Sequence, residues 1–206
     1  MAPSSDIAFT TAVKGIQARR GSRARMEAAG DWETEVTPAL AAFLAEQESV
    51  ILATANAGGQ PYAQHRGGPK GFIRVLDDKT LAFADFRGNR QYITQGNLAE
   101  NSKAFIIAID YVRRERVKIW GRARVIEDDA ALVAQLLPPG YRAKAEQAIL
   151  FEVEAWDTNC RSHIPQMLPA AEVARAIADL RQRIQELEAE NAALREARPA
   201  SLGEGA

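Results

Sequence analysis

Arg116-Val-Lys-Ile-Trp-Gly-Arg-Ala-Arg-Val-Ile126 is the stretch on which the fold turns. Val117, Ile119, Ala123 and Val125 fall on one side of an extended chain, and Lys118, Arg122 and Arg124 on the other. A period of two over this length is a strand with one apolar and one wet face. Toward the N-terminus, Ala104-Phe-Ile-Ile-Ala-Ile109 has no polar position and reads as a strand buried on both faces. Further back come Ser49-Val-Ile-Leu-Ala-Thr54, a strand opened by Gln60-Pro61-Tyr62, residues 71–76 and residues 80–85. Asn56-Ala-Gly-Gly59 and Asp77-Asp78 separate them as turns. Toward the C-terminus, Ile149, Phe151 and Val153 alternate with Glu152 and Glu154 in a last strand. Six or seven short strands without regular βα alternation exclude a doubly wound fold. They indicate a mainly β (α+β) chain whose sheet closes into a small barrel, since closure removes exposed edges.

Helical signals sit between and around the strands. Residues 10–20 carry Ala12, Val13 and Ile16 on one side, and Gly21-Ser22 breaks the pattern. Thr37 is placed to cap a helix with Pro38 in its first turn and Leu40, Phe43 and Leu44 as its stripe. Residues 91–101 and 128–137 read as two more, the second ended by Pro138-Pro139-Gly140. The tail differs from all of these. Val173, Ile177, Leu180, Ile184, Leu187, Asn191 and Leu194 are spaced by four and three in turn. With Ile177, Ile184 and Asn191 at a, the leucines fall at d, the pattern of a parallel two-stranded coiled coil. Arg183 and Glu190 at g would meet Glu188 and Arg195 at e. The same stripe would also suit an amphipathic helix packed on its own barrel. The chain therefore divides into a helical arm (1–35), a barrel domain (36–168), a coiled-coil helix (169–198) and a flexible tail (199–206).

Bulk properties narrow the function. The 206 residues are 47% hydrophobic with a formal net charge of −1, enough for a core and too little charge for nucleic-acid attraction. One cysteine, Cys160, allows no intrachain disulfide and fits a reducing compartment. Met1-Ala-Pro-Ser-Ser-Asp6 has no basic and apolar leader, and no run approaches a bilayer span of about 20 apolar residues. A cytoplasmic protein that touches neither membrane nor nucleic acid is the expectation.

Few residues have the spacing that chemistry requires. His65, His163 and Cys160 are too scattered for a metal site. The glycine-rich nucleotide loops and the nucleophile elbow are absent from the sequence. What stands out is Asp85-Phe-Arg-Gly-Asn-Arg90 between a strand and a helix. Gly88 lets the backbone approach an anion, Asn89 donates hydrogen bonds, Arg87 and Arg90 bring charge, and the next helix points its N-terminus at the same place. A second basic group, His65-Arg66-Gly-Gly-Pro-Lys70, lies one hairpin earlier. The two either converge on one phosphate or are solvated basic turns, Gly-Asn being ordinary turn chemistry.

Taken in order, these pieces resemble a known family. They are Val50-Ile-Leu-Ala-Thr-Ala-Asn-Ala-Gly-Gly-Gln-Pro61, Arg66-Gly-Gly-Pro-Lys-Gly-Phe72, Leu81-Ala-Phe-Ala-Asp-Phe-Arg-Gly-Asn-Arg90, Asn97-Leu-Ala-Glu-Asn101, Ile106-Ile-Ala-Ile-Asp110 and Val117-Lys-Ile-Trp-Gly-Arg-Ala123. The set is similar to the pyridoxamine 5′-phosphate oxidase-related, FMN-binding split-barrel family. That resemblance implies an antiparallel split barrel, a homodimer, and one FMN per subunit at the interface. By position, Asn89 and Arg90 match the family's phosphate turn, with Arg87 beside it and Arg66 facing the phosphate from the second strand. Lys70 is a further candidate. The flavin ring would lie near Gly67 and Gly68, and Trp120 or Arg122 would reach it from the other subunit. Trp120 fits core packing as well, and Arg66 fits an exposed arginine.

The end of the domain departs from the true oxidase, whose C-terminal arginine motif for pyridoxal phosphate is missing. In its place stands Trp156-Asp-Thr-Asn-Cys-Arg-Ser-His-Ile-Pro165, which resembles an uncharacterised branch. Arg161 and His163 are the candidates there for anion binding and proton exchange beside a flavin. Cys160 fits a packing cysteine better than a nucleophile. An FMN-dependent oxidoreductase acting on an unidentified small molecule is thus set against a non-catalytic flavin carrier or sensor. A split barrel that binds haem or a deazaflavin is the third alternative.

Overall fold

The computed structural model describes residues 2–158 and 162–197. Its centre is a seven-stranded sheet with every neighbouring pair antiparallel. In chain order the strands are β1 (Ser49–Ala55), β2 (Pro61–Gly67), β3 (Arg74–Val75), β4 (Thr80–Phe86), β5 (Lys103–Asp110), β6 (Glu115–Ile126) and β7 (Ala145–Thr158). Across the sheet they run β2-β1-β5-β6-β7-β4-β3. β2 is first in that order and β4 last but one, yet Arg66 on β2 and Asp85 on β4 form an ion pair. The sheet is therefore rolled until its two ends meet through side chains. Among the described residues no backbone ladder joins β2 to β3, so the barrel is split rather than closed.

Alternation explains the core. Leu52, Ile106, Ile119 and Phe151 are fully buried, Leu81 and Phe83 join them, and Leu40 and Leu44 of α3 (Pro38–Ala45) pack against the same cluster. The Thr37 hydroxyl accepts from Leu40 N at 3.2 Å, and Pro38 occupies the first turn, as the sequence predicts. On the other side of β4 and β7, Ala82, Ala84 and Ala148 are small enough for α5 (Ala130–Leu136) to approach and bury Leu136. α4 (Ile93–Glu100) is held down by Asn97, whose Nδ2 donates to the buried Thr54 Oγ1 at 3.0 Å. No described helix is long and apolar enough to cross a membrane.

Two strand expectations are corrected. Residues 71–76 do not form a strand of that length, since pairing is confined to Arg74 and Val75. Phe72 and Ile73 are both buried, which successive strand residues on a one-faced sheet cannot be. Gly71 sits at φ 78° and Phe72 N closes a turn on Pro69 O, so the chain drops both side chains into the core before it extends. β5 is not buried on both faces either. Ala104, Ile106 and Ala108 point into the core, while Phe105, Ile107 and Ile109 are half-buried on the outer face.

The N-terminal segment packs against β6 and β7. α1 (Thr11–Arg19) follows a single 3₁₀ turn and matches the sequence reading. α2 (Arg23–Ala28) has no apolar stripe to reveal it, although the Arg23–Glu27 pair one turn apart is a legible signal. Glu33 then bridges Trp156 of β7, whose Nε1 donates to Glu35 O at 2.7 Å. Trp32 stacks on Trp120 of β6 with ring centroids 4.5 Å apart. Two compact units make up the chain, dividing between Ile164 and Pro165. The second carries α6 (Ala170–Glu196), none of whose residues is buried.

Candidate functional site

The end of β4 and the start of β7 set the geometry of the conspicuous turn. Their pairing slips between Asp85 and Phe86, and Arg87 N then bonds Lys144 O at 2.8 Å. This releases residues 88–92 from the sheet. Asn89 Oδ1 accepts from Gln91 N at 3.2 Å, closing an Asx turn and leaving its amide NH2 to donate outward. Arg90 and Tyr92 both take left-handed backbone, φ 58° and 54°. That conformation is uncommon for residues with a Cβ and concentrates where a site fixes it. Tyr92 is also the N-terminal flank of α4, and no side chain caps the helix there. The first-turn N–H groups of α4 are therefore left to another acceptor.

A small pocket of about 50 Å³ opens at this point. Arg66 enters it from β2, Asp85 from β4, and Gly88, Asn89, Arg90 and Tyr92 from the turn. Ile93, Thr94 and Gln95 of the α4 first turn complete it, with Gln64, Glu146 and Gln147 at its walls. The volume suits an anionic head group and is far below the several hundred Å³ of a site that encloses a ring system.

The charges inside are unequal in availability. Asp85 is held on both oxygens, by the Arg66 ion pair and by Gln147 Nε2 at 2.9 Å. Glu146 lies 3.6 Å from Arg87. Arg90 Nε donates to the Tyr92 hydroxyl at 2.8 Å and pairs with no carboxylate among the described residues. That hydroxyl, with Glu146 as a smaller influence, raises the guanidinium pKa further, so Arg90 stays cationic. Arg66 is held by Asp85 on one nitrogen, while its Nε is buried without a hydrogen-bond partner. A buried donor left unmatched costs free energy unless a ligand completes it. The donor set of Arg66, Asn89, Arg90 and the open end of α4 fits a phosphate.

Of the sequence candidates, Arg66, Asn89 and Arg90 come together here, with Arg87 alongside on Glu146. The others lie elsewhere. Lys70 reaches Glu46, just past the end of α3, at 2.8 Å, where it lowers that carboxyl's pKa through their hydrogen bond. The room expected in front of Gly67 and Gly68 is filled by protein. A Cβ on Gly68 would stand 2.6 Å from Phe72, and one on Gly67 2.8 Å from the His65 ring. Trp120 packs beneath Trp32 and beside Phe105, and Lys118 lies over both indoles at 5.2 and 5.0 Å. Arg122 bonds Glu154 at 2.8 Å and Ser102 at 3.1 Å. His163 is exposed at φ 65°, while Arg161 and Cys160 lie outside the described residues. No cluster of metal-ligating side chains occurs among the described residues.

Sequence reasoning missed Asp85, Gln147 and Gln64 as walls of the site. Asp85 is legible as the lone charge in an otherwise apolar strand. Gln147 becomes its neighbour only through the β4–β7 register, which pairs the two residues directly.

The family model described as pyridoxamine 5′-phosphate oxidase matches residues 36–160. No curated protein matches the chain. Among solved structures the chain is similar to HupZ of Group A Streptococcus, 22% identical over 64% of this chain and 98% of that one, with a TM-score of 0.48. A pyridoxamine 5′-phosphate oxidase-related, FMN-binding protein from Nostoc punctiforme is 15% identical over 63% and 86%, with a TM-score of 0.44. HutZ, a haem storage protein from Vibrio cholerae, is 15% identical over 60% and 93%, with a TM-score of 0.41.

Proposed function

The chain belongs to the pyridoxamine 5′-phosphate oxidase family, and from that premise we propose that it binds FMN and works as an FMN-dependent oxidoreductase on a small molecule. The observation that carries this reading is the single pocket shared by Arg66, Asn89, Arg90 and the uncapped start of α4. These residues hold the phosphate of FMN. Its flavin ring supplies hydride or electron transfer when bound. The pocket is too small for that ring, so its residues would hold the phosphate alone. In this proposal the half-buried apolar residues of the outer sheet face, Ile51, Phe105 and Ile107 among them, meet a second subunit in a homodimer.

Haem is the weaker reading on the residues. His65 and His163 are both exposed, on β2 and in the turn before Ile164. Phosphate donors are gathered in one place, whereas no pair of imidazoles is. The absorbance spectrum of the purified protein tests the proposal. A flavin spectrum, with FMN rather than riboflavin released on denaturation, is the expected result. A haem Soret band, or a deazaflavin spectrum, contradicts it. Steady-state NAD(P)H oxidation by the FMN-loaded protein then separates turnover from a carrier or sensor role.

A further inference from the structure

α6 is about 40 Å long at the ordinary helical rise. Val173, Ile177, Leu180, Ile184, Leu187 and Leu194 form one line along it and are 39% to 64% exposed. Helices draw most of their stability from packing an apolar face, and this face packs on nothing within its helix. The polar member of the line is Asn191, whose Nδ2 turns back to Leu187 O at 3.0 Å. Arg183 likewise settles for Glu186 on the same helix at 3.0 Å.

The flanking charges say what covers the line. Arg181, Glu188 and Arg195 lie on one side of it, Arg183 and Glu190 on the other. In a parallel pair, Arg183 meets the partner's Glu188, and Glu190 meets the partner's Arg195. In the antiparallel pair that sets Ile177 against the partner's Leu194, Arg183 meets the partner's Glu190, and Arg181 meets the partner's Glu188. Both arrangements are free of like-charge contacts, so charge favours a second copy of this chain in either direction.

Asn191 chooses between them. Antiparallel pairing sets each Asn191 amide against the partner's Leu180, burying two polar groups without partners. Parallel pairing sets Asn191 against the partner's Asn191, where the two amides bond each other. The β-branched Ile177 and Ile184 at a, with leucines at d, select two strands. We propose that α6 forms a parallel, in-register, two-stranded coiled coil with a second copy of this chain, with Asn191 fixing its direction. The seam is independent of the flavin pocket, so it joins two chains whether or not FMN is bound.

Cysteine cross-linking tests this in the full chain after Cys160→Ser removes the native thiol. Leu187→Cys places two thiols in one d layer of the parallel pair, within the few ångströms a disulfide spans. Mild oxidation is expected to convert most of that chain to a disulfide-linked dimer, while Ala189→Cys on the outer face stays unlinked. Sedimentation of Asn191→Leu is expected to show species larger than the parent's, because the buried asparagine is what specifies two strands. Leu187→Cys linking no better than Ala189→Cys overturns the proposal. So does preferential linkage between Ile184→Cys and Leu187→Cys chains, which face each other only in the antiparallel pair.

Discussion

Gly121→Ala is expected to destabilise the protein by about 3 kcal/mol, the upper end of ordinary overpacking. Pairing between β6 and β7 slips between Trp120 and Gly121. At that slip a Cβ on residue 121 would stand 2.0 Å from the Glu152 backbone oxygen and 2.7 Å from the Phe151 ring. A ladder carbonyl cannot swing aside as a side-chain end can, so the two longest strands must part locally. β7 also carries Gln147, which holds Asp85, so the loss reaches the pocket. Gly88→Ala is the control, because a Cβ there approaches only Phe86 O, at 4.0 Å. Urea unfolding should show a much lower midpoint for the first variant and a parental one for the second. A parental midpoint for Gly121→Ala contradicts the β6–β7 register.

Arg66→Ala is expected to lower FMN affinity roughly tenfold to a hundredfold, the loss of one charge-assisted bond to phosphate. It should also lower stability by about 2 kcal/mol. The Arg66 and Asp85 side chains are only 13% and 14% exposed, so removing the cation strands a largely buried carboxylate. The small remaining exposure keeps the cost below that of a fully buried pair. Adding Asp85→Ala separates the two effects, because it removes the stranded charge without restoring the phosphate donor. The double variant should regain stability and still bind FMN weakly. Recovery of both together would assign Arg66 to the fold alone.

Much of the barrel is legible in the sequence because its strands keep one face wet. Val117, Ile119 and Ala123 are buried as their alternation requires. The Thr37-Pro38 helix start is equally plain, because capping is local chemistry. Failures occur where burial is set by other parts of the chain. Phe72 and Ile73 look like strand residues until Gly71 and Pro69 turn them both inward. Phe105 and Ile107 look doubly buried, although the outer face is covered in the single chain only where residues such as Trp32 reach it.

The candidate site divides along the same line. Gly88, Asn89 and Arg90 belong to one turn whose chemistry can be read directly. Arg66 joins them only because the sheet rolls, and its anchor Asp85 only because β4 pairs with β7. Lys70 has suitable chemistry but is engaged by Glu46; Trp120 and Arg122, expected to reach the flavin from the other subunit, rest in the single chain against Trp32 and Glu154.

Titration of the apoprotein and its Arg90→Ala variant with FMN and with riboflavin tests the phosphate pocket most directly. Flavin fluorescence follows both ligands, which differ only in the phosphate. The parent is expected to prefer FMN, and Arg90→Ala to lose about tenfold or more of its FMN affinity while riboflavin binding stays nearly unchanged. Equal losses for the two ligands, or no loss for either, would remove Arg90 from the phosphate site and contradict the account.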